Sequence, residues 1–300
     1  MKPRPRVGLV VKRSVWQLDV QGGRRPKIRH LVHKEDPTVA RLLAAHEEHA
    51  GTVEEVKAAL SAAKAHVTRL GRNAEEFDPE ALDLVITVGG DGTLLAASHA
   101  ITRVPVLGIN SAPSHSVGFF CGAKKGSVLP AVLEAVRGDL HRMVLSRMAV
   151  RVNGKLVTQR VLNEALYCHS SPAATTRYIL RLGDAQEEQK SSGFWIGPAA
   201  GSTAAQRSAG GRILPLSSQR LQLVVREPYV PSGAKFRLLR ALIPPGEVLS
   251  VRTKMHDARV FIDGPDAITD LDFGDTVEFF RSDDPLTVLG LGKRPRAEMP

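Results

Sequence analysis

The sequence predicts two domains, an α/β domain built on a parallel sheet and then a mostly β domain. Over roughly the first 140 residues, apolar runs typical of buried strands alternate with helical patterns, which favours a parallel sheet covered by helices. From about Arg142 to about Phe280, short apolar stretches alternate with turn residues instead. A chain of 300 residues is long enough for one or two domains with a substantial core. We therefore expect the α/β domain at residues 1–141 and the β domain at residues 142–283.

The α/β domain begins with a buried strand and continues through helices and further strands. The predicted strands are Arg6–Lys12, Asp83–Val88 and Val104–Ile109, and the predicted helices are Pro37–His49, Thr52–His66 and Ser127–Val136. Gly51 separates the first two helices, and Thr52 with Glu55 three residues later forms a capping-box pattern at the start of the second. We place His46 and His49 on a solvated helix face, because they lie among Glu and Arg residues.

The stretch Leu84–Leu95 combines a buried strand, a glycine-rich turn and the start of a helix. Small residues at the end of such a strand let backbone N–H groups approach a phosphate at the helix N-terminus, where the macrodipole also favours negative charge. Asp91 lies in this turn, and its carboxylate would repel a phosphate unless it held a metal or accepted a proton from an attacking hydroxyl. The alternative is that Asp91 only occupies a tight turn, as Asp often does between glycines. Because ligands of parallel sheets bind at the carboxyl ends of strands, the position of Asp91 favours a functional role.

The β domain is predicted from short strands separated by turn signals. Asn153-Gly154 is a type I′ hairpin signal between the first two of these strands. The predicted strands are Ala149–Val152, Leu156–Val157, Val161–Leu162, Ile179–Leu182, Leu221–Val225, Val248–Val251, Arg259–Ile262 and Thr276–Phe280, with Leu286–Leu291 as one last strand.

Two segments interrupt this strand pattern. Asn163 and Glu164 put two polar side chains into an apolar run, which suits a ribose because a carboxylate accepts from hydroxyls while an amide can donate and accept. The alternative is an edge strand that exposes one of these residues and directs the other into a turn.

Residues 197–211 are mostly small, which allows a second backbone or a ligand to approach closely. The apolar flanks of this segment predict a packed loop leading into a short helix, which Gly210-Gly211 would end.

Composition and charge narrow the choice of partners. The net charge is +10, but Lys and Arg are dispersed and aromatic residues are scarce, so the stacking platform of a single-strand nucleic-acid binder is missing. Attraction to anionic small molecules such as nucleotides explains the charge. Cys121 and Cys168 show neither metal-ligand spacing nor a disulfide framework, which suits a reducing cytoplasm. No apolar run approaches the length of a membrane span, so we expect a soluble, cytoplasmic protein that binds neither membranes nor nucleic acid.

Three separated motifs follow one another along the chain. They are Gly89-Gly90-Asp91-Gly92-Thr93, Asn163-Glu164, and Gly201-Ser202-Thr203-Ala204 followed by Ser208-Ala209-Gly210-Gly211. In this order and with these separations, the chain resembles the NAD kinase family from Val7 to about Leu291. It is most similar to the plant-type NADH kinase branch in the motifs Asn110-Ser111-Ala112-Pro113, Gly118-Phe119-Phe120-Cys121, Ser171-Pro172-Ala173-Ala174, Arg177-Tyr178 and the segment 199–205.

The resemblance implies a fold, an assembly and a reaction. The fold would be an N-terminal Rossmann-like α/β domain and a C-terminal β-sandwich-like domain, with a last strand at about 284–300 rejoining the first domain. The assembly would be a homodimer or homotetramer. The reaction would be ATP-dependent phosphorylation of the adenosine-ribose 2′-hydroxyl of NAD or NADH, giving NADP or NADPH. Mg²⁺ or another divalent cation would bridge the ATP oxygens without a dedicated protein site.

The resemblance also implies roles for individual residues. Asp91 would be the general base toward the 2′-hydroxyl, or would orient it. The backbone N–H groups of the glycine turn would bind phosphates, and Asn163 with Glu164 would hold the ribose and adenine end of the dinucleotide. The remaining candidates are Gly89, Gly90, Gly92 and Thr93 for the phosphates, Thr203, Ala204 and Ser208 for the dinucleotide pocket, and Arg177 for the pyrophosphate.

Five positions depart from the family pattern. Ser192 replaces a usual aspartate, so that contact to the dinucleotide is absent or supplied elsewhere. Ala205 replaces a tyrosine and Pro265 a glutamine that are common in bacterial members, and Ala199 and Ala200 differ from the bacterial form as well. These changes bear on the choice between NAD and NADH and leave the expected reaction intact.

Two other hypotheses remain open from the sequence. Lipid kinases of the diacylglycerol and sphingosine type share the Gly-Gly-Asp-Gly-Thr turn, but Asn163-Glu164 and Gly201–Ala204 point away from them. A non-catalytic NAD(H) sensor would be compatible with the departures. The presence of Asp91 argues against a sensor, because a pure binder gains little from a carboxylate beside phosphates.

Overall fold

The computed structural model describes residues 3–71, 81–233 and 235–292. These residues fall into two compact units. The first runs as far as Met143 and is completed by residues from Thr287 onward, and the second is Val144–Leu286. The predicted classes, an N-terminal α/β fold and a C-terminal β-sandwich-like fold, are both confirmed.

A seven-stranded sheet forms the centre of the first unit. Its strands are β1 Arg6–Val11, β2 His66–Leu70, β3 Leu84–Gly89, β4 Val106–Asn110, β5 Cys121–Lys124, β6 Arg142–Leu145 and β19 Leu286–Leu289. The order is β2-β1-β3-β4-β19-β6, with β5 also paired to β4, and β1 to β4 run parallel. Every residue of β3 and β4 is buried, as expected for parallel strands that are covered on both faces. The last strand therefore joins the sheet beside β4, while residues 293–300 lie outside the described part of the chain.

The helices of the first unit are α1 Pro26–His33, α2 Leu42–Ala62, α3 Asp91–Ser98 and α4 Val128–Arg137. The prediction of two helices separated by Gly51 is wrong, because α2 continues through Gly51. Thr52 does not cap a new helix, since its hydroxyl donates to the carbonyls of Glu48 and Ser111. Burial of the α2 face around Val56 outweighs the cost of about 1 kcal/mol for a mid-helix glycine. His66, predicted as a helix end, is instead the first residue of β2.

Two six-stranded antiparallel sheets make up the second unit. The first has the order β11-β10-β15-β18-β7-β8 and the second the order β14-β13-β12-β9-β16-β17. The strands are β7 Met148–Val152, β8 Lys155–Val161, β9 Ala165–His169, β10 Thr176–Leu182, β11 Ala185–Ser191, β12 Phe194–Pro198, β13 Leu221–Val225, β14 Arg240–Ile243, β15 Val248–Thr253, β16 Ala258–Ile262, β17 Ala267–Leu271 and β18 Thr276–Arg281.

One hydrophobic core fills the space between these two sheets. Its centre is a cluster of four aromatic rings, Tyr167, Tyr178, Phe194 and Phe279, with centroids 5.0–6.0 Å apart. Along β10, buried residues alternate with more exposed residues, as in other sandwiches. The predicted hairpin is confirmed, since both residues of the Asn153-Gly154 turn have positive φ, 48° and 79°. The second unit also contains α5 Ala205–Ser208, which follows a short 3₁₀ turn at Ala199–Thr203.

None of the helices in the described residues is long and apolar enough to cross a membrane.

Candidate active site

The glycine turn of the first unit lies where β3 ends and α3 begins. The strand order is β2-β1-β3-β4, so the chain moves from β1 to β2 in one direction along the sheet and from β3 to β4 in the other. The carboxyl ends of β1 and β3 therefore lie where these connections diverge, which is the usual position of a ligand in such sheets. A Cβ on Gly89 would collide with the buried side chain of Thr93, so this position requires glycine for packing. Gly92 has open space around it, because no described atom outside its own helical turn lies within 4 Å of where a Cβ would lie. The turn is therefore tight on its inner side and accessible at Gly92.

Backbone donors at this turn are only partly used. The N–H of Thr93 donates to the carbonyl of Gly90 at 3.0 Å, which closes the first turn of α3. The earliest N–H groups of a helix have no intrahelical acceptor, so those at Gly90 and Gly92 have the geometry for an anion. Of the predicted phosphate ligands, Gly92 lies on the open side of the turn, Gly90 lies against the side chain of Ser116, and Gly89 and Thr93 form the packed side.

Asp91 is the first residue of α3, and its carboxylate is held by backbone donors. Oδ2 accepts from the N–H of Phe119 at 2.8 Å, and Oδ1 accepts from the N–H of Phe120 at 2.7 Å. Asp91 is therefore more than a residue that tolerates a tight turn, because both of its oxygens are fixed by a distant loop. A carboxylate has about four lone-pair positions, so this arrangement leaves capacity to accept from a further hydroxyl.

The loop that holds Asp91 is itself anchored by Asn110, at the end of β4. Asn110 Nδ2 donates to the carbonyl of Ser116 at 2.9 Å, and the hydroxyl of Ser116 donates to Asn110 Oδ1 at 2.8 Å. Gly118, with φ of +66°, packs directly on the Asn110 side chain and turns the chain toward the two N–H donors. Sequence reasoning identified Asn110 and Gly118 only as markers of resemblance. A polar residue at the end of an apolar run was the available signal for Asn110.

His49 anchors the same loop from α2. Its Nδ1 is 2.7 Å from the hydroxyl of Ser111, whose backbone N–H donates to the carbonyl of Gly89 at 2.9 Å. The prediction that His49 lies on a solvated face is wrong, because the side chain is almost completely buried. Burial lowers the pKa of His49, and the positive charge of Lys12 acts in the same direction. His46, one turn earlier, is half-buried and lies 3.0 Å from the hydroxyl of Ser14.

In the second unit, Asn163 and Glu164 form the corner between β8 and β9. The carboxylate of Asp263 accepts three backbone N–H groups at this corner, from Leu162 at 2.8 Å, from Asn163 at 2.7 Å and from Glu164 at 3.0 Å. The edge-strand alternative is wrong, because both residues lie in the connection between the strands and neither is exposed. The sequence patterns alone gave Asp263 no role. The signal available for Asp263 was an Asp-Gly pair between two strand patterns.

The two side chains of this corner are bonded to each other. Asn163 Nδ2 donates to Glu164 Oε1 at 2.9 Å, while Glu164 Oε2 is buried and has no hydrogen-bond partner among the described residues. Burial and, to a smaller extent, the negative charge of Asp263 raise the pKa of Glu164, the hydrogen bond from Asn163 lowers it, and the net result is a pKa of about 8. An orphaned buried oxygen is costly unless a ligand pairs with it.

The small-residue segment packs against this corner. A Cβ on Gly201 would overlap the backbone of Asn163, so only glycine allows this close approach. Gln206 Nε2 reaches the carbonyl of Asn163 at 3.4 Å, and its Oε1 accepts from Gln222 at 3.0 Å. The predicted packed loop and short helix are confirmed, with Gly210 at φ of +87° after the helix. Of the predicted pocket residues on this segment, Thr203 and Ala204 are half-buried and Ser208 is exposed.

The structure does not bring Arg177 to this corner. Arg177 is exposed on β10, which belongs to the other sheet of the sandwich. The neighbouring Thr176 accepts from the N–H of His169, at the opposite end of β9 from Glu164. His169 is five positions along the chain from Glu164, which corresponds to about 16 Å in an extended strand.

Known proteins of one family are similar to this chain. The family model for the ATP-NAD kinase N-terminal domain matches residues 24–135. The chain is 35% identical to a probable NADH kinase of Oryza sativa subsp. japonica over 68% of its own length and 70% of that protein. It is 32% identical to the NADH kinase of Arabidopsis thaliana, over 70% of this chain and 73% of the relative.

Two solved structures share the fold. The crystal structure of an NAD kinase from Archaeoglobus fulgidus in complex with ATP matches with a TM-score of 0.69 and 20% identity, covering 98% of this chain and 96% of that one. The structure of yeast NADH kinase complexed with NADH matches with a TM-score of 0.68 and 14% identity, covering 98% of this chain and 85% of that one. At these identities the likeness concerns the fold.

Proposed function

The chain belongs to the NAD kinase family, and on that premise we propose that it transfers a phosphoryl group from ATP to the adenosine-ribose 2′-hydroxyl of NAD or NADH. The products are NADP or NADPH, together with ADP. The observation that carries the proposal is the Asp91 carboxylate, held by the N–H groups of Phe119 and Phe120 at the carboxyl end of a parallel strand. The two plant relatives are named NADH kinases, which supports the plant-type branch and NADH as an acceptor.

Asp91 acts on the 2′-hydroxyl. With both oxygens fixed by backbone donors, the carboxylate presents its remaining lone pairs in one direction and accepts a hydrogen bond from the ribose hydroxyl. As the O–P bond forms, the hydroxyl proton passes to Asp91 and the bond from phosphorus to the ADP oxygen breaks. Phosphoryl transfer depends mainly on positioning and charge stabilisation, so fixing this carboxylate is the contribution we assign to the loop that ends at Phe120.

The glycine turn binds phosphate. The N–H groups of Gly90 and Gly92 lie at the N-terminus of α3, where the helix dipole favours an anion. The donor substrate is ATP as its magnesium complex, in which phosphate oxygens and waters supply most ligands of Mg²⁺. The turn thereby combines phosphate binding at Gly92 with the fixed carboxylate at Asp91.

The second unit supplies the dinucleotide contacts. Asn163 and Glu164 contact the ribose and adenine end, because Glu164 Oε2 is a buried polar atom that a ligand would satisfy. Thr203, Ala204 and Ser208 continue the same surface, since Gly201 brings their segment against Asn163.

We also infer a homodimer or homotetramer from the family likeness. The two thiols of Cys121 and Cys168 are unpaired, which is compatible with a reducing compartment, and we propose the cytoplasm.

The test is NADP(H) production by the purified protein with MgATP, with NAD and NADH compared as acceptors. Asp91→Asn should lower kcat by about 100-fold or more, while the Kd for the dinucleotide stays within about threefold. Asp139→Asn is the matched control, because Asp139 is an exposed carboxylate of the same unit whose pairing with Arg137 contributes little. Unchanged turnover of Asp91→Asn would refute the role of Asp91. Dinucleotide binding without turnover would favour a sensor, and phosphorylation of diacylglycerol or sphingosine would favour a lipid kinase.

A further inference from the structure

We propose that Asp263 is a positioning residue for the dinucleotide, fixing the Asn163–Glu164 corner and keeping Glu164 in its neutral acid form as a hydrogen-bond donor. This inference rests on the proposed function, because it assumes that Glu164 contacts NAD or NADH. It differs from the sequence expectation, in which the Glu164 carboxylate accepts hydrogen bonds from ribose hydroxyls.

Asp263 fixes the corner through four hydrogen bonds. Its carboxylate accepts the N–H groups of Leu162, Asn163 and Glu164, and its own N–H donates to the carbonyl of Glu164 at 2.9 Å. Asp263 adopts a left-handed backbone conformation, with φ of 49°, which Asp tolerates better than most residues. A residue 99 positions away in sequence therefore sets the direction of the Glu164 side chain.

The same contacts bring two carboxylates together. Asp263 binds the backbone N–H of Glu164, so its negative charge lies close to the Glu164 side chain. Three N–H donors stabilise the charge on Asp263, which also interacts favourably with the buried guanidinium of Arg147. Glu164 receives one hydrogen bond, from Asn163, and its second oxygen is buried. When two such groups share one site, the less stabilised carboxylate keeps its proton.

The other charged groups near this corner do not change which of the two carboxylates keeps its proton. Arg147 is paired with Asp284, which also binds Arg160, and Arg207 on α5 is exposed. Among the described residues, Asp263 is the group whose charge acts on Glu164, and burial and this charge together raise the pKa of Glu164 to about 8. Glu164 is consequently mostly neutral at pH 7.

A neutral Glu164 has a defined bonding pattern. Oε1 accepts from Asn163, and the proton resides on Oε2, which needs an acceptor that the described chain does not supply. The acceptor on a dinucleotide would be a ribose oxygen or a ring nitrogen of adenine. Because binding requires the protonated form, affinity should be constant below pH 8 and fall as the pH rises through that value.

The first experiment measures the protonation of Glu164 directly, without a ligand. Protein labelled with ¹³C at the glutamate side-chain carboxyls is titrated by NMR, and Glu164→Gln identifies the signal of Glu164. The expected midpoint lies near pH 8, and Asp263→Asn should move it to lower pH. Asp266→Asn is the matched control, an exposed carboxylate in the same turn, and should leave the midpoint unchanged. A wild-type midpoint near the ordinary value of 4.5 would overturn the inference.

The second experiment measures the Kd for the dinucleotide between pH 6 and pH 9.5. The wild-type affinity should weaken by about tenfold per pH unit above the midpoint. Glu164→Gln keeps a donor but cannot titrate, so its affinity for the dinucleotide should show no pH dependence in this range. Wild-type affinity that is constant or increases with pH would contradict a neutral donor. Absence of any binding at pH 7 would instead contradict the proposed function, while the NMR titration still decides the protonation of Glu164.

The third measurement separates positioning from general stability. Asp263→Asn should raise the KM for the dinucleotide by about tenfold and leave the KM for ATP unchanged, because the Asp263 carboxylate binds the backbone of the dinucleotide corner. A purely structural role would lower Tm and change neither KM. If Asp263→Asn does not fold, the wild-type titration and the Glu164→Gln pH profile still decide the inference.

Discussion

Gly118→Ala tests whether the loop from β4 to β5 controls the Asp91 carboxylate. Gly118 has φ of +66°, and a Cβ there would lie 2.7 Å from two carbon atoms of the Asn110 side chain. Two hydrogen bonds to Ser116 hold the Asn110 side chain, so it has little freedom to move away. The substitution should therefore displace the loop and the N–H groups that hold Asp91.

The expected loss of stability has two parts. A left-handed backbone costs a residue other than glycine about 1 kcal/mol, and overpacking adds about 1–3 kcal/mol. Gly138→Ala is the matched control, because Gly138 has φ of +83° at the end of α4 and no atom lies within 4 Å of its Cβ position. The control should lose only the backbone part, about 1 kcal/mol, and the difference between the two variants measures the clash with Asn110.

The assay measures kcat with saturating MgATP and dinucleotide, well below the Tm of each variant. Gly118→Ala should reduce kcat by about tenfold or more, because a small displacement of a catalytic group has a large effect on rate. Gly138→Ala should keep kcat within about twofold. If Gly118→Ala lowers Tm but keeps the wild-type kcat, Asp91 does not depend on this loop for its position.

Three further substitutions test one side chain of the first unit and two of the second. The pKa of His49 lies below its ordinary 6.5, so the unfolded chain binds a proton first as the pH falls below 6.5 and the free energy of unfolding decreases toward acid. His49→Gln should retain a hydrogen-bond partner for Ser111, and its Tm should decrease less than the wild-type Tm between pH 7 and pH 5.5. An equal decrease of Tm in both proteins would show that other groups cause it. Arg147→Met removes a fully buried guanidinium that pairs with Asp284. The free energy of unfolding, measured in urea, should fall by about 3 kcal/mol. Arg160 is the more exposed partner of the same carboxylate, so Arg160→Met should lower the free energy of unfolding by about 1 kcal/mol or less. Similar losses of unfolding free energy for the two variants would contradict the effect that we assign to burial.

The sequence determined the features that depend on a few consecutive residues. The strand, turn and helix around Asp91 were predictable, because apolar run length and glycine spacing act locally. The Asn153-Gly154 hairpin was predictable for the same reason, since the turn needs positive φ at both residues. The division into an α/β part and a β part followed from the change of pattern near Arg142.

Only the tertiary structure decided how distant residues meet. Local propensity predicted a helix break at Gly51, but packing of the α2 face maintained one continuous helix. The same packing buries His49, although its charged neighbours in the sequence had predicted a solvent-exposed position. Asp263 reaches Glu164, and the N–H groups of Phe119 and Phe120 reach Asp91, through contacts between residues far apart in the chain. Such contacts depend on strand register and loop path, which periodicity over a short window does not encode.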